Sequence, residues 1–269
     1  MKKYLFLFLL LLIPVLVPCK LYAMDISVGA TTWFAKVDQQ FSSNFSGFDG
    51  ETKCDPGFLY GPVLSVKFND DFNLTFVYLY GKFDISEEDQ LSGLTSKYKL
   101  KRKDSDLALN YRLNNYFKAF LGLKYIGFNI SQQYKSANMG EITDIKHNGY
   151  GPGLGLSATF PITDNVFLFG TVSGFYLWGK ESRGFLWDPP NSGTLEADST
   201  DYGINSNLSI VYYIAPASTT ISLGGRFQYI KTDYRNITIA PPRYEVDVDN
   251  SGKTKFYGIT LTATYSFGI

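Results

Sequence analysis

Asp104 and Asp106 stand two residues apart, so in an extended chain their carboxylates share one face. Farther on lie Asp144 and His147, the single histidine of the 269-residue chain. Two carboxylates and an imidazole around one water are the parts of a general-base attack on a peptide bond. The spacing tests that idea. Asp144 and His147 are three residues apart, which puts them on opposite faces of a strand. A Ser–His reading is weaker, because no serine is fixed beside His147 by the sequence. After residue 23 only Cys54 remains of the two cysteines, so no internal disulfide forms and a Cys/His zinc site is not available. The plainer reading makes these four solvated rim and loop residues, with no catalytic residue, metal or cofactor.

Any such side chains need elements to hold them, and the elements are legible. Alternating segments are predicted at 25–37, 58–68, 72–85, 98–113, 116–130, 149–160, 165–179, 201–214, 219–234 and 254–267. They are joined by turns that are by rule short, then long. Ten segments of about 11 to 16 residues are too long for a soluble sandwich, whose strands run about 5–6 residues. They suit a membrane crossed at a tilt, which takes about 9–11 residues. Sorted short and long connections and an even strand count imply an all-β chain forming one transmembrane antiparallel barrel. Ten strands are expected, with 8 or 12 as alternatives; the short turns face the periplasm and the long loops face outward.

The ends and the composition agree. Residues 1–23 read as a cleaved signal peptide: Lys2 and Lys3, an apolar run from Tyr4 to Val17, and Ala23 at the cut. The alternatives are an uncleaved anchor or a lipoprotein on Cys19. Residues 24–269 then form the barrel, with 22 basic and 25 acidic side chains and a net charge of −3. No basic stripe suggests a nucleic-acid partner. The full sequence holds 22 Phe and 20 Tyr, and the polar face of the predicted strands is Gly, Ser, Thr and Asn rather than Lys and Glu, which marks that face as the lumen. Phe58, Tyr60, Phe72, Tyr116, Tyr213, Tyr229 and Phe267 sit at strand ends, where interfacial girdles would lie.

The last strand, "YGITLTATYSFGI", resembles the assembly signal of bacterial outer-membrane β-barrels, with Gly258, Leu261, Ala263, Tyr265 and Phe267 in its series. The resemblance implies export, outer-membrane residence, contact with outer-membrane lipid and lipopolysaccharide, and recognition by the barrel-assembly machinery. Gly268 and Ile269 depart from it, since that class usually ends on the aromatic. Ten-stranded barrels of this class include the omptin proteases, and the resemblance would lend Asp104, Asp106, Asp144 and His147 a rim-protease role. The omptin Asp-x-His spacing is missing.

A lumen-facing set follows from the alternation: Lys67, Asp106, Arg112, Lys118, Lys124, Asp201, Asn205, Asn207, Arg226 and Gln228, with Asn110 beside them. Two functions fit it. Unpaired cations would line a narrow pore for small solutes or ions; cations paired with Asp106 and Asp201 would plug the barrel. A non-conducting barrel would be structural or adhesin-like and act through its external loops, where Phe185 and Trp187 are the candidate contact residues.

Overall fold

The computed structural model describes residues 25–42, 51–88, 95–132, 141–186, 192–240, 244–246 and 250–268. The expectations for residues 1–23 and for Trp187 fall outside them. The elements are β1 (Asp25–Ser42), β2 (Glu51–Cys54), β3 (Gly57–Lys67), β4 (Phe72–Glu88), β5 (Thr95–Arg112), β6 (Phe117–Gln132), β7 (Glu141–Pro161), β8 (Val166–Leu186), β9 (Ser192–Ile214), β10 (Thr219–Ala240), β11 (Tyr244–Val246) and β12 (Asn250–Gly268). β2 and β3 are two parts of one stave, and β11 is a short outer addition to β10. That leaves ten staves, all antiparallel to their neighbours. The sheet closes because β1 pairs with β3 on one side and with β12 on the other, from Asp25 opposite Gly268 to Ser42 opposite Ser251.

Side-chain chemistry makes the short turns. Asn69 Oδ1 accepts the backbone N–H groups of Asp71 and Phe72, and Asn114 Oδ1 accepts those of Tyr116 and Phe117. These Asx turns reverse the chain in the space of a few residues. A single 3-10 turn, Ala215–Ala217, makes the β9–β10 reversal.

On the outer surface an apolar band lies between two aromatic girdles. The lower girdle includes Phe72 packed on Tyr111 and Tyr116 packed on Phe160. The upper one follows the pairing register from stave to stave: Phe34 and Phe58, Tyr60 opposite Tyr80, Tyr125 opposite Tyr150, Tyr150 opposite Trp178, then Tyr176 opposite Tyr202. Between them stand residues such as Leu109, Leu121, Leu154, Leu208 and Leu261, all exposed on the barrel. About 8–10 residues separate the girdles, which at about 3.3 Å per residue and a tilt near 40° is roughly 20–25 Å. That is the height of a bilayer's apolar layer. Tyr213 belongs to neither girdle: it lines the lower mouth of the lumen, while its neighbour Tyr212 faces out.

Above the upper girdle the pattern inverts. Along β4 the outward residues change from Leu74, Phe76, Tyr78 and Tyr80 to Lys82 and Asp84. The inward ones change from Asn73 and Thr75 to Leu79, Phe83 and Ile85, all three buried. β1 does the same, from inward Ser27 and Thr31 to buried Trp33, Ala35 and Val37. The chain leaves lipid and enters water at the girdle, so the apolar face must move to the inside. Here the structure corrects the sequence reading. The expected strands end near the girdle because the outward apolar pattern ends there. Yet the expected loops at 131–148, 180–200 and 235–253 are largely strand, and β7 to β10 run 21 to 23 residues. Backbone pairing continues under the opposite polarity. Near the outer end of β10 a break in register between Arg235 and Thr238, with Asn236 at φ 52°, turns Ile237 into the interior.

Candidate functional site: the closed lumen

The interior falls into three levels. The lowest opens at the end that carries the short turns and is polar. Ser27 and Ser266 hydroxyls lie 2.8 Å apart, and Thr31 and Thr262 hydroxyls 2.7 Å apart. A mouth cavity of about 470 Å³ is lined by Lys67, Asp70, Asn73 and Lys118, among others. A second, of about 290 Å³, reaches up to Asp106, Lys124 and Asn205. Lys67 bonds Asp70 at 2.8 Å and approaches Asp25 at 3.9 Å; Arg112 donates to Asn115.

The middle level is a charge cluster across the barrel. Arg102 Nη2 lies 2.6 Å from Asp104 Oδ2, and Lys124 Nζ bridges Asp104 at 2.7 Å and Asp106 at 2.8 Å. Arg226 approaches Asp106 at 3.6 Å and donates from Nε to Asn205. Arg102 also donates to Gln228. β5 and β10, which carry that pair, are five places apart in the ring of ten, so the contact spans the lumen. Around it the Arg102 guanidinium lies 3.7 Å from the centre of the Phe256 ring, and Phe256 stacks at 6.1 Å on Phe128 from the opposite wall. The Arg226 guanidinium covers Trp33 at 4.6 Å. Arg102, Gln228, Trp33 and Phe256 are completely buried.

The upper level lies beyond the girdle. His147 sits between two carboxylates: Nε2 is 2.8 Å from Asp201 Oδ2, and Nδ1 is 3.5 Å from Glu181 Oε2, an ion-pair distance rather than a hydrogen bond. Thr232 donates to Asp201, Tyr234 donates to Glu181, and Arg183 Nε lies 2.5 Å from Glu181. Gly149 makes this possible, because a Cβ there would come within 2.4 Å of the Asp201 carboxylate. Burial works against an imidazolium, but the two acids outweigh it and lift the His147 pKa to about 9. Burial likewise opposes the Glu181 charge, and its bonds to His147, Arg183 and Tyr234 prevail and lower its pKa.

The sign of the resulting pH dependence follows. A histidine whose pKa is raised by folding contributes fully below its unfolded value of about 6.5 and loses that contribution as pH rises through about 9. Glu181 contributes above about 4.5 and loses it as pH falls. The external end is therefore expected to be firmest between about pH 4.5 and 6.5 and to loosen as pH rises from there through about 9. Because the chain has one histidine, a single imidazole NMR signal reports this directly. It is expected to titrate near 9, and a midpoint near 6.5 would contradict the assignment.

No known family's sequence profile matches the chain, and no curated protein does. Among solved structures, the outer membrane protease OmpT from Escherichia coli superposes with a TM-score of 0.63 at 12% identity, covering 93% of this chain and 99% of OmpT. The fold is that of the bacterial outer-membrane barrels. The translocator domain of the autotransporter NalP from Neisseria meningitidis (TM-score 0.42, 9% identity, 99% and 96% covered) and OprG from Pseudomonas aeruginosa (0.37, 14%, 89% and 95%) are looser matches.

In this barrel Lys67, Asp106, Arg112, Lys118, Lys124, Asp201, Asn205, Asn207, Arg226 and Gln228 lie on inward positions of their staves. The structure joins Asp106, Lys124, Arg226 and Gln228 into the middle cluster and places Asp201 in the upper one. Asn207 accepts from Ser209 in the lower lumen, and Lys118 remains at the mouth. Asp144 pairs with Lys146 and not with His147. Leu261, Ala263, Tyr265 and Phe267 face outward, whereas Gly258 faces inward against the Phe34 carbonyl. The Phe185 backbone belongs to β8, and its side chain is outside the described residues. Sequence reading missed Arg102, Glu181, Arg183 and Tyr234, and with them the apolar filling. Their signal was available in the inward phase above each girdle aromatic.

Proposed function

We propose that the chain is an exported outer-membrane barrel with a sealed lumen, conducting neither ions nor solutes, that acts through its external extension. The carrying observation is the contact of opposite walls, Arg102 with Gln228 and Phe128 with Phe256, in a fully buried layer. Cations matched to Asp104, Asp106, Asp201 and Glu181 support a plug over a pore. Ten staves leave an interior only slightly wider than the eight-stranded barrels that side chains fill.

The proposal includes no enzyme. Arg102, Lys124 and Arg226 occupy the Asp104 and Asp106 carboxylates, and His147, 4% exposed, is wedged between two acids. That is a poor setting for a base that must meet water and substrate. Assembly through the last strand remains part of the same reading, supported by the outward Leu261, Ala263, Tyr265 and Phe267.

Planar-bilayer recording tests the seal, with insertion verified separately by heat-modifiable migration on gels. Inserted protein is expected to give no stepwise openings. A steady unit conductance from the unmodified chain would overturn the proposal and restore the narrow pore.

A further inference from the structure

Among the described residues, outward-facing lysines are confined to one rim. Among the described residues none lies at the lower girdle, while the first two turns of alternation above the upper girdle carry Lys36, Lys82, Lys103, Lys146, Lys180 and Lys255, among others. Some have partners: Lys36 with Asp38, Lys146 with Asp144, Lys231 with Asp233. The group on β4 and β5 differs. Lys82, Lys99, Lys101 and Lys103 occupy two adjacent staves, and no carboxylate of the described residues lies within ion-pair distance of any of them. Lys82 stands directly opposite Lys101 in the register, and Lys103 opposite girdle residue Tyr80. Like charges directly opposite each other destabilise a sheet. Asp84, opposite Lys99, is the one acid of this patch among the residues with described side chains. Among the described residues these cations therefore have no matching counter-charge. Directly beneath them the same staves present Tyr78, Phe76 and Leu107 to the apolar layer. A ligand complementary to the whole face has anionic groups at the interface and hydrocarbon below it.

We propose that the outer face of β4 and β5, at Lys82, Lys101 and Lys103 with Lys99 beside them, binds the phosphates of a phosphorylated glycolipid in the outer leaflet. The inference rests on the outer-membrane reading above. It gives the expected lipopolysaccharide contact a place on the barrel wall. The phosphates sit over the lysines, and the acyl chains lie along Phe76 and Leu107.

The test uses the full chain refolded in neutral detergent, with bound lipid counted by native mass spectrometry. Heat-modifiable migration, scored before any lipid is added, reports whether the barrel itself forms, so its failure is separate from failure of the site. The probes are a bisphosphorylated lipid A, the same lipid without phosphates, and inorganic phosphate. Lys82→Gln/Lys101→Gln/Lys103→Gln is compared with Lys146→Gln/Lys180→Gln/Lys253→Gln, which removes equal charge elsewhere on the rim. The first triple variant is expected to bind lipid A at least about tenfold more weakly and the second to bind nearly as the parent, since each surface lysine contributes measurably to anionic lipid attraction. The dephosphorylated lipid is expected to bind the parent as weakly as the first variant does. Inorganic phosphate is expected not to displace lipid A. Equal losses in both variants would overturn the site in favour of rim charge alone. Equal binding of dephosphorylated lipid would remove the phosphate, and displacement by inorganic phosphate would make it a free-anion site.

Discussion

Asp104→Ala is expected to lower the unfolding free energy by about 3–5 kcal/mol, the range for breaking a buried ion pair from one side. Asp104 is 1% exposed and holds two cations, Arg102 and Lys124. Lys124 keeps Asp106, but Arg102 is left fully buried with no carboxylate closer than those serving other cations. A charge stranded among Trp33, Phe128 and Phe256 is costly, because no water or carboxylate replaces its lost partner. Urea unfolding in phospholipid vesicles measures the loss. Two companions check its cause. Asp106→Ala removes a carboxylate that is one-third exposed, and its loss is expected to stay near 1 kcal/mol or below. Arg102→Met combined with Asp104→Leu removes both charges and is expected to recover most of the stability, as apolar replacement of buried pairs does. If the double variant is as weak as Asp104→Ala, the stranded-charge explanation fails.

Phe256→Ala is expected to lose a comparable amount, about 3–5 kcal/mol, through cavity formation. Phe256 has no exposed surface and touches Trp33, Phe83 and Phe128 from three other staves, besides the Arg102 guanidinium. Among the described residues no other ring meets rings from so many staves. Its chain neighbour Tyr257 points the other way, into the girdle. Tyr257→Ala is expected to cost clearly less, because it removes one ring from a surface that lipid still covers. Equal losses at 256 and 257 would mean that the interior is not packed. In the lipid band the order reverses: Leu261→Lys places a charge at mid-membrane, expected to cost about 2–4 kcal/mol.

The barrel itself was legible because alternation and loop sorting are backbone-level signals. A strand that faces lipid on one side writes that fact into every second residue, as Leu154, Leu156 and Ala158 do. The upper half was harder for a definable reason. In "FNLTFVYLYGKFDI" the outward phase carries the apolar residues up to Tyr80, and the inward phase carries them from Leu79 on. A single-phase reading sees the pattern end and assigns a loop. The His147 site was illegible for another reason. Its partners Glu181 and Asp201 lie 34 and 54 residues away on β8 and β9. Only the register brings His147 opposite Glu181, and only the barrel's curvature brings Asp201 across to it. The local candidate, Asp144, sits three residues away on the wrong face.

The inversion of polarity at the upper girdle is most directly tested by spin labels at outward positions of β12, on a Cys54→Ser background in phospholipid vesicles. Labels at 259, 261 and 263 are expected to collide preferentially with oxygen, which concentrates in lipid. Labels at 255 and 253, the next outward positions beyond Tyr257, are expected to collide preferentially with a water-soluble nickel complex. Oxygen preference persisting through 255 and 253 would contradict the account, for the outer face would then remain in lipid where the structure turns it to water.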